Sequence, residues 1–488
     1  MQLPAPGITI LGLGPGAPAL LTRQAWEVLN GIDEIYLRTR QHPTVAGFPE
    51  NLTVQAFDNF YEQEADFATV YARIIEEVLV LGARPEGVVY AVPGHPFVAE
   101  ATSPEIVRRA KEAGLAVQVI EGLSFVEPTL TVLRADPLPQ TSVVDALEMV
   151  AAHHPSFPPD VPALVAQVYS KEIAAEVKIT LMAVYPDEHP VQLVHAAGTA
   201  DALVEELPLY EIDRSAHIGL LTSLYVPPVG AYTSFEGFQE LVAHLRAPEG
   251  CPWDREQTHQ TLRRNLIEEA YEALAALDSE DPALMREEFG DLLLQIVLHA
   301  QIATEYGEFT MAEVIQGIHT KLVSRHPHVF GDVDLEDAEA VIKNWERIKA
   351  DERTSKGQND KGLLDSIPVA LPALTQAETF QKRAARVGFD WDDIQHVIDK
   401  ICEEVEEVRS APSDEERAAE IGDLLFAIVN LARWLDADPE AVLRATNLKF
   451  RERFRYIEQH AKAAGRELSE MSLAEMDALW DEAKKSEL

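Results

Sequence analysis

The chain carries acidic side chains in a spacing that suits divalent-metal chemistry. Between Lys400 and Asp423 lie Glu403-Glu404-x-x-Glu407 and Glu420-x-x-Asp423, separated by a Pro412-Ser413-Asp414 break. On a helix, residues three and four apart share a face. Glu403 and Glu407 then stack one turn apart, Glu404 lies beside Glu407, and Glu420 stacks on Asp423. A break at Pro412 lets the second helix fold back on the first. Four or five carboxylates would converge on one groove and repel one another unless cations neutralise them. An all-oxygen ligand set suits Mg²⁺.

The pattern occurs twice. Glu268-Glu269-x-x-Glu272 precedes Glu288-x-x-Asp291, and Gly290 to Leu293 repeats as Gly422 to Leu425. Lys321-x-x-x-Arg325 corresponds to Lys449-x-x-x-Arg453, and each copy reaches a tryptophan in a charged helix, Trp345 and Trp480. This is an internal repeat of whole units. A single acidic triplet reads as a solvated helix face. Here Leu266, Ile267 and Ala270 flank the first triplet, and Ile401, Val405 and Val408 the second. Asp291 and Asp423 each open a strongly apolar run, so they sit at a core edge, where an unpaired carboxylate is costly. Two magnesium ions in such a site can neutralise a triphosphate and activate a water for attack on phosphorus. Lys and Arg balance the remaining charge. The chain has no G-x-x-x-x-G-K-[ST] loop, so phosphate handling rests on metal and side chains.

The elements that must position these groups follow from length and patterning. A chain of 488 residues exceeds one core and implies several domains. The formal net charge of −41 argues against a nucleic-acid or anionic-membrane surface. Cys251 and Cys402 make no disulfide framework, which suits a reducing, cytoplasmic setting. No apolar run reaches the roughly 18 residues of a membrane span.

From the N-terminus, Ile8 to Leu13, Glu34 to Leu37, Val88 to Val92 and Val117 to Ile120 read as short buried strands. Helical stretches lie between them, starting near Thr22 and over Phe67 to Leu81 and Pro104 to Ala113. The alternation predicts an α/β domain with a largely parallel sheet, with glycine-bearing turns lining one edge. Ala163 to Tyr169, Ile179 to Tyr185 and Ile218 to Leu224 are further strand candidates, beyond a hinge at His153 to Pro162. Gly12-x-Gly14-x-x-Ala17 formally fits a dinucleotide fingerprint. That reading is set aside, because Pro15 removes an N–H from the cradle and Arg38 stands where a ribose-binding acid would follow the second strand.

GLGPGAPALLT, AVPGHP, EGLSF and HAAGTAD together resemble the successive loops of the tetrapyrrole (corrin/porphyrin) methylases, over about residues 7 to 225. The resemblance implies two α/β subdomains with S-adenosylmethionine in the cleft between them. Its binding loops fall on Gly12, Gly14, Pro15 and Gly16, on Gly94, His95 and Pro96, and on Ser124 and Phe125. The family usually has Gly-Asp-Pro where this chain has Gly94-His95-Pro96, so methyl transfer is left open.

From Phe235 onward the pattern is helical. CPWD, LIEEAYEAL, EEFGDLLLQIVLHAQ, SRHPHVFGD, NWERIK, VGFDW, EEVEEV, EIGDLLFAIVNLAR and LWDEAKK resemble the MazG family of nucleoside triphosphate pyrophosphohydrolases, across both repeats. The resemblance implies an all-α fold, Mg²⁺ dependence, and hydrolysis of nucleoside triphosphates to monophosphate and pyrophosphate. The implied metal ligands and catalytic carboxylates are Glu403, Glu404, Glu407, Glu420 and Asp423. Lys400, Lys449, Arg453 and Trp480 are the implied phosphate and base contacts. In the first repeat the ligands are Glu268, Glu269, Glu272, Glu288 and Asp291. Asn265 stands where the second repeat has Lys400, so the second repeat is expected to carry most turnover. The expected division is a methylase-like α/β domain over 1–230, MazG repeats over 236–350 and 367–488, and a linker over 351–366. Broad apolar helix faces suggest a homodimer. The competing reading is a tetrapyrrole methyltransferase whose helical half is an oligomerisation scaffold.

Overall fold

The computed structural model describes residues 7–64, 66–335, 337–355 and 362–486. The chain divides into two units, Met1–Ile315 and Gln316–Leu488.

The first unit begins with the expected parallel sheet. Strands β1 (Gly7–Gly12), β2 (Glu34–Leu37), β3 (Thr53–Ala56), β4 (Val88–Val92) and β5 (Ala116–Ile120) run in the order β3-β2-β4-β1-β5, all pairs parallel. Central strands β1 and β4 are buried at every residue, as a sheet covered on both faces requires. One face packs Ile8, Ile10 and Tyr90 against helix α1 (Phe67–Gly82), which is capped by the Asp66 carboxylate on the Thr69 amide at 2.8 Å. The other face packs Leu11, Leu13, Ile35 and Leu37 against Ala25 and Leu29, in the helix Arg23–Leu29, whose first turn Thr22 caps.

A second sheet is mixed. Strands β6 (Ser142–Asp145), β7 (Ala163–Ala166), β8 (Pro190–His195), β9 (Leu203–Pro208) and β10 (Thr222–Val226) run β6-β7-β10-β8-β9, with only β6–β7 parallel. The strand expected over Ile179 to Tyr185 is instead the end of helix α2 (Lys171–Met182) and the turn after it. Its β-branched residues misled, but Ala174, Val177, Thr180 and Leu181 are buried at helical spacing while Ile179 is exposed. The expected strand over Ile218 to Leu224 begins only at Thr222.

Still within the first unit, helices α3 (Phe235–Arg246), α4 (Arg263–Ser279) and α5 (Pro282–Glu305) form a small bundle around Val242, Leu262, Val297, Leu298 and Ile302. The second unit contains α6 (Ala373–Arg386), α7 (Ile394–Ser410), α8 (Asp414–Trp434), α9 (Pro439–Ala463) and α10 (Leu473–Ser486). Helix α7 pairs with α8, α6 packs on α8 and α9, and α9 packs on α10. Among the described residues, no helix is long and apolar enough to cross a membrane.

Candidate metal centre and cavities

The break that the sequence places at Pro412 produces a tight helical hairpin. Helix α7 ends at Ser410 and α8 begins at Asp414, where the Ser413 hydroxyl accepts from the Glu416 amide at 3.1 Å. Asp414, Glu415 and Glu416 fill the first turn, where the helix dipole favours negative charge. Folding back in this way brings carboxyl oxygens of Glu404, Glu407 and Glu420 within 4.8 Å of one another.

Glu404 is the inner member, only 4% exposed. Lys400 Nζ donates to its Oε1 at 2.8 Å and to Glu403 Oε1 at 2.9 Å. These two carboxylates hold the Lys400 ammonium above its ordinary range. Glu404 Oε2 is buried and has no hydrogen-bond partner among the described residues. A buried carboxylate oxygen without a donor is a costly arrangement that a cation relieves. Lost hydration, then the charges of Glu404 and Glu420, push the Glu407 carboxyl up from its usual value. Three carboxylates, one carrying an orphaned oxygen, are a donor set that fits a hard divalent ion.

The predicted residues do not all converge. Glu403 is exposed and turned to Lys400, outside the group of three. Asp423 lines the cavity beside Lys400 and Glu404. Lys449 and Arg453 lie on α9 and Trp480 on α10, where the Trp480 ring packs 5.1 Å from Phe450 and lies 5.4 Å from the Arg453 guanidinium carbon.

The first repeat has a similar hairpin. Helix α5 starts at Pro282, with the Asp281 side chain accepting from the Ala283 amide at 2.8 Å. Glu269, Glu272 and Glu288 bring oxygens within 4.8 Å of one another. Glu268, like Glu403, faces a base instead, pairing with Arg264 at 2.8 Å. Lost hydration, then the charges of Asp291, Glu272 and Glu288, raise Glu269. Glu288 is raised by lost hydration and then by Glu272 and Asp291.

Beside the second hairpin, α6, α7 and α8 enclose a cavity of about 550 Å³. Sequence reasoning missed most of its wall. Asp390 takes both terminal nitrogens of Arg433, at 2.9 and 2.5 Å, which holds the Asp390 carboxyl below its usual range. The VGFDW motif contains Asp390 and was the available signal.

In the α/β region, the loops after β1, β4 and β5 touch backbone to backbone. A Cβ on Gly12 would lie 2.6 Å from the Gly122 nitrogen, and one on Gly122 would lie 2.4 Å from the Gly94 oxygen. Gly14 and Gly94 exchange amide hydrogen bonds of 3.2 and 2.8 Å, each at positive φ. Pro15, Gly94 and Phe125 line an adjoining cavity of about 420 Å³. Ser124 instead donates to Glu127 at 2.6 Å, and His95 Nδ1 accepts from the Phe97 amide at 3.0 Å. Arg38 lines the same cavity, paired with the buried Glu100 at 2.8 Å. His42, 5% exposed, also lines it. Burial and the Arg38 charge lower His42 to about 4, so its ring is neutral at pH 7.

Known proteins match both regions. The model for Tetrapyrrole (Corrin/Porphyrin) Methylases matches residues 7–213, and that for the MazG nucleotide pyrophosphohydrolase domain matches residues 257–330. A nucleoside triphosphate pyrophosphohydrolase/pyrophosphatase MazG of Thermotoga maritima is 45% identical over 51% of this chain and 95% of its own. A nucleoside triphosphate pyrophosphohydrolase of Escherichia coli strain K12 is 44% identical over 51% and 96%. The chain belongs to the MazG family of nucleoside triphosphate pyrophosphohydrolases, with a tetrapyrrole methylase-like domain fused ahead of the MazG repeats. The uncharacterized protein YabN of Bacillus subtilis strain 168 is similar along its whole length, 44% identical over 98% of this chain and 99% of its own.

Proposed function

We propose that the helical region hydrolyses nucleoside triphosphates to monophosphate and pyrophosphate in a Mg²⁺-dependent reaction, chiefly at the second repeat. The observation that carries this reading is the Glu404–Glu407–Glu420 group, with a buried, unpartnered oxygen beside a cavity of nucleotide size. Glu404, Glu407, Glu420 and Asp423 would hold the metal, which supplies charge neutralisation and an activated water when bound. Glu404 presents a pre-aimed oxygen. Lys400, tethered to Glu403 and Glu404, is placed to turn from carboxylate to phosphate once the metal takes over the charge. Asn265 in the first repeat cannot do this, which supports the unequal roles. Lys449, Arg453 and Trp480 are proposed contacts from α9 and α10.

The helices leave many large apolar side chains uncovered, including Ile267, Leu293 and Ile296 in the first repeat and Ile421, Leu425 and Ile428 in the second. That supports a homodimer. The division into domains over 1–230, 236–350 and 367–488, with a linker over 351–366, belongs to the same reading; the first part of that linker is the end of the helix Ala338–Ser355, and 356–361 lie outside the described residues. For the α/β region, the close-packed glycine loops and their cavity support binding of S-adenosylmethionine, held by Pro15, Gly94 and Phe125. The test is pyrophosphate release from a panel of nucleoside triphosphates with magnesium or with chelator. Intact nucleotides in the presence of magnesium would overturn the reading.

A further inference from the structure

The cavity beside the second hairpin contains a polar arrangement that metal binding does not explain. Gln381 on α6 is 8% exposed and lines it. Its Nε2 donates to the Phe426 carbonyl at 2.8 Å. A carbonyl only accepts, so the amide cannot be turned the other way. Gln381 Oε1 is therefore fixed as an acceptor, and it is buried with no hydrogen-bond partner among the described residues. Such an atom calls for a donor, which a water or a ligand N–H can supply.

A second amide on the same wall is fixed in the opposite sense. Asn430 Oδ1 accepts from Arg433 Nε at 2.9 Å and Nη2 at 2.8 Å. A guanidinium only donates, so Asn430 turns its Nδ2 donor away from Arg433. Arg433 is itself clamped by Asp390. Asp423, Phe426, Ala427 and Asn430 all line the cavity, so one face of α8 runs from the carboxylates past Gln381's anchor to Asn430. At 1.5 Å per residue, Asn430 lies about 10 Å along the axis from Asp423. Phe389 and Trp391, 82% and 46% exposed, put aromatic surface on the same cavity.

We propose that Gln381 determines specificity by reading the base of the nucleotide, with Oε1 accepting from an N–H on the base edge and Asn430 Nδ2 orienting that edge. A flat group with an apolar face and a donor on its rim is what this wall accommodates. The inference rests on the proposed reaction at this hairpin and goes beyond it by assigning the base end.

The test compares kcat/KM for the four ribonucleoside triphosphates with that for ribose 5-triphosphate, in the full chain and in Gln381→Leu and Gln381→Met. Both variants should lower the ratio for the preferred nucleotide about ten- to hundredfold, mainly through KM. Unaltered protein should show a similar penalty on an analogue of that nucleotide lacking the donor N–H, a result independent of variant folding. An unchanged ratio, equal losses on ribose 5-triphosphate, or full activity on the analogue would overturn the inference while leaving the hydrolytic reading intact. Unaltered protein that cleaves no triphosphate takes both down.

Discussion

Replacing Glu404 with Met should make the metal-free protein more stable while abolishing turnover. Glu404 is 4% exposed, and its Oε2 has no partner among the described residues. An unsatisfied buried acceptor costs about 1–3 kcal/mol, and more when charged. Met is of similar length, carries no such atom, and suits the apolar neighbours. What is lost is the contact with Lys400, whose side chain is 37% exposed. Partly exposed pairs contribute about 0–1 kcal/mol. The balance favours the variant by about 1–2 kcal/mol. For a unit of this size that is a rise in Tm of about 2–8 °C. The measurement is calorimetry of the full chain in chelator, following the transition that magnesium raises in the unaltered protein. In Glu404→Met that transition should start higher and no longer respond to magnesium, and pyrophosphate release should disappear. A transition at or below that of the unaltered protein in chelator would refute the argument, because the orphaned oxygen would then carry no cost.

The other predictions concern the two repeats, pH and the α/β cavity. Glu404→Ala should lower pyrophosphate release about a hundredfold or more and Glu269→Ala less than about threefold; equal losses would show that the Lys400–Asn265 difference is irrelevant. Glu407 is raised in the folded state, so the folded, metal-free protein binds more protons than the unfolded chain just above the ordinary glutamate range. Stability without metal should therefore rise as pH falls through that window, and magnesium, which must displace the proton, should bind more tightly at pH 8 than at pH 5. Titration calorimetry at the two values reads this directly, and equal affinities would count against the site. S-adenosylmethionine should give binding heat with the full chain and none with Gly94→Val, a position at φ +68; no heat with the unaltered protein would remove the cofactor.

Much of this was readable in the residues because the chemistry is local. The hairpin follows from two acidic periods and Pro412, and its caps at Asp393 and Ser413 are short-range choices. The parallel sheet followed from buried strands ending in glycine. Spacing could not show which carboxylates share a groove. Glu403 and Glu404 are neighbours and both pair with Lys400, yet Glu403 stays in solvent while Glu404 turns inward, since consecutive helical residues sit about 100° apart. The strand assigned to Ile179 failed because β-branched content outweighed a burial period that only packing reveals. Gln381, Asn430 and Arg433 were invisible for another reason. Gln381 and Arg433 act through contacts across 45 and 43 residues of sequence, between elements no local pattern joins, and Asn430 is placed only through Arg433.

The ammonium of Lys400 gives the second hairpin a resident counter-ion. Such a hairpin can assemble before any metal arrives, so under the proposed reaction magnesium supply would govern when it works rather than whether it folds. The hairpin with Asn265 has Arg264 on the outer Glu268 instead, so its inner group of Glu269, Glu272 and Glu288 would depend more on dissolved cations to settle. Starving cells of magnesium would then loosen the two halves of the helical region to different degrees, with the half richer in its own neutralising charge holding its shape longest.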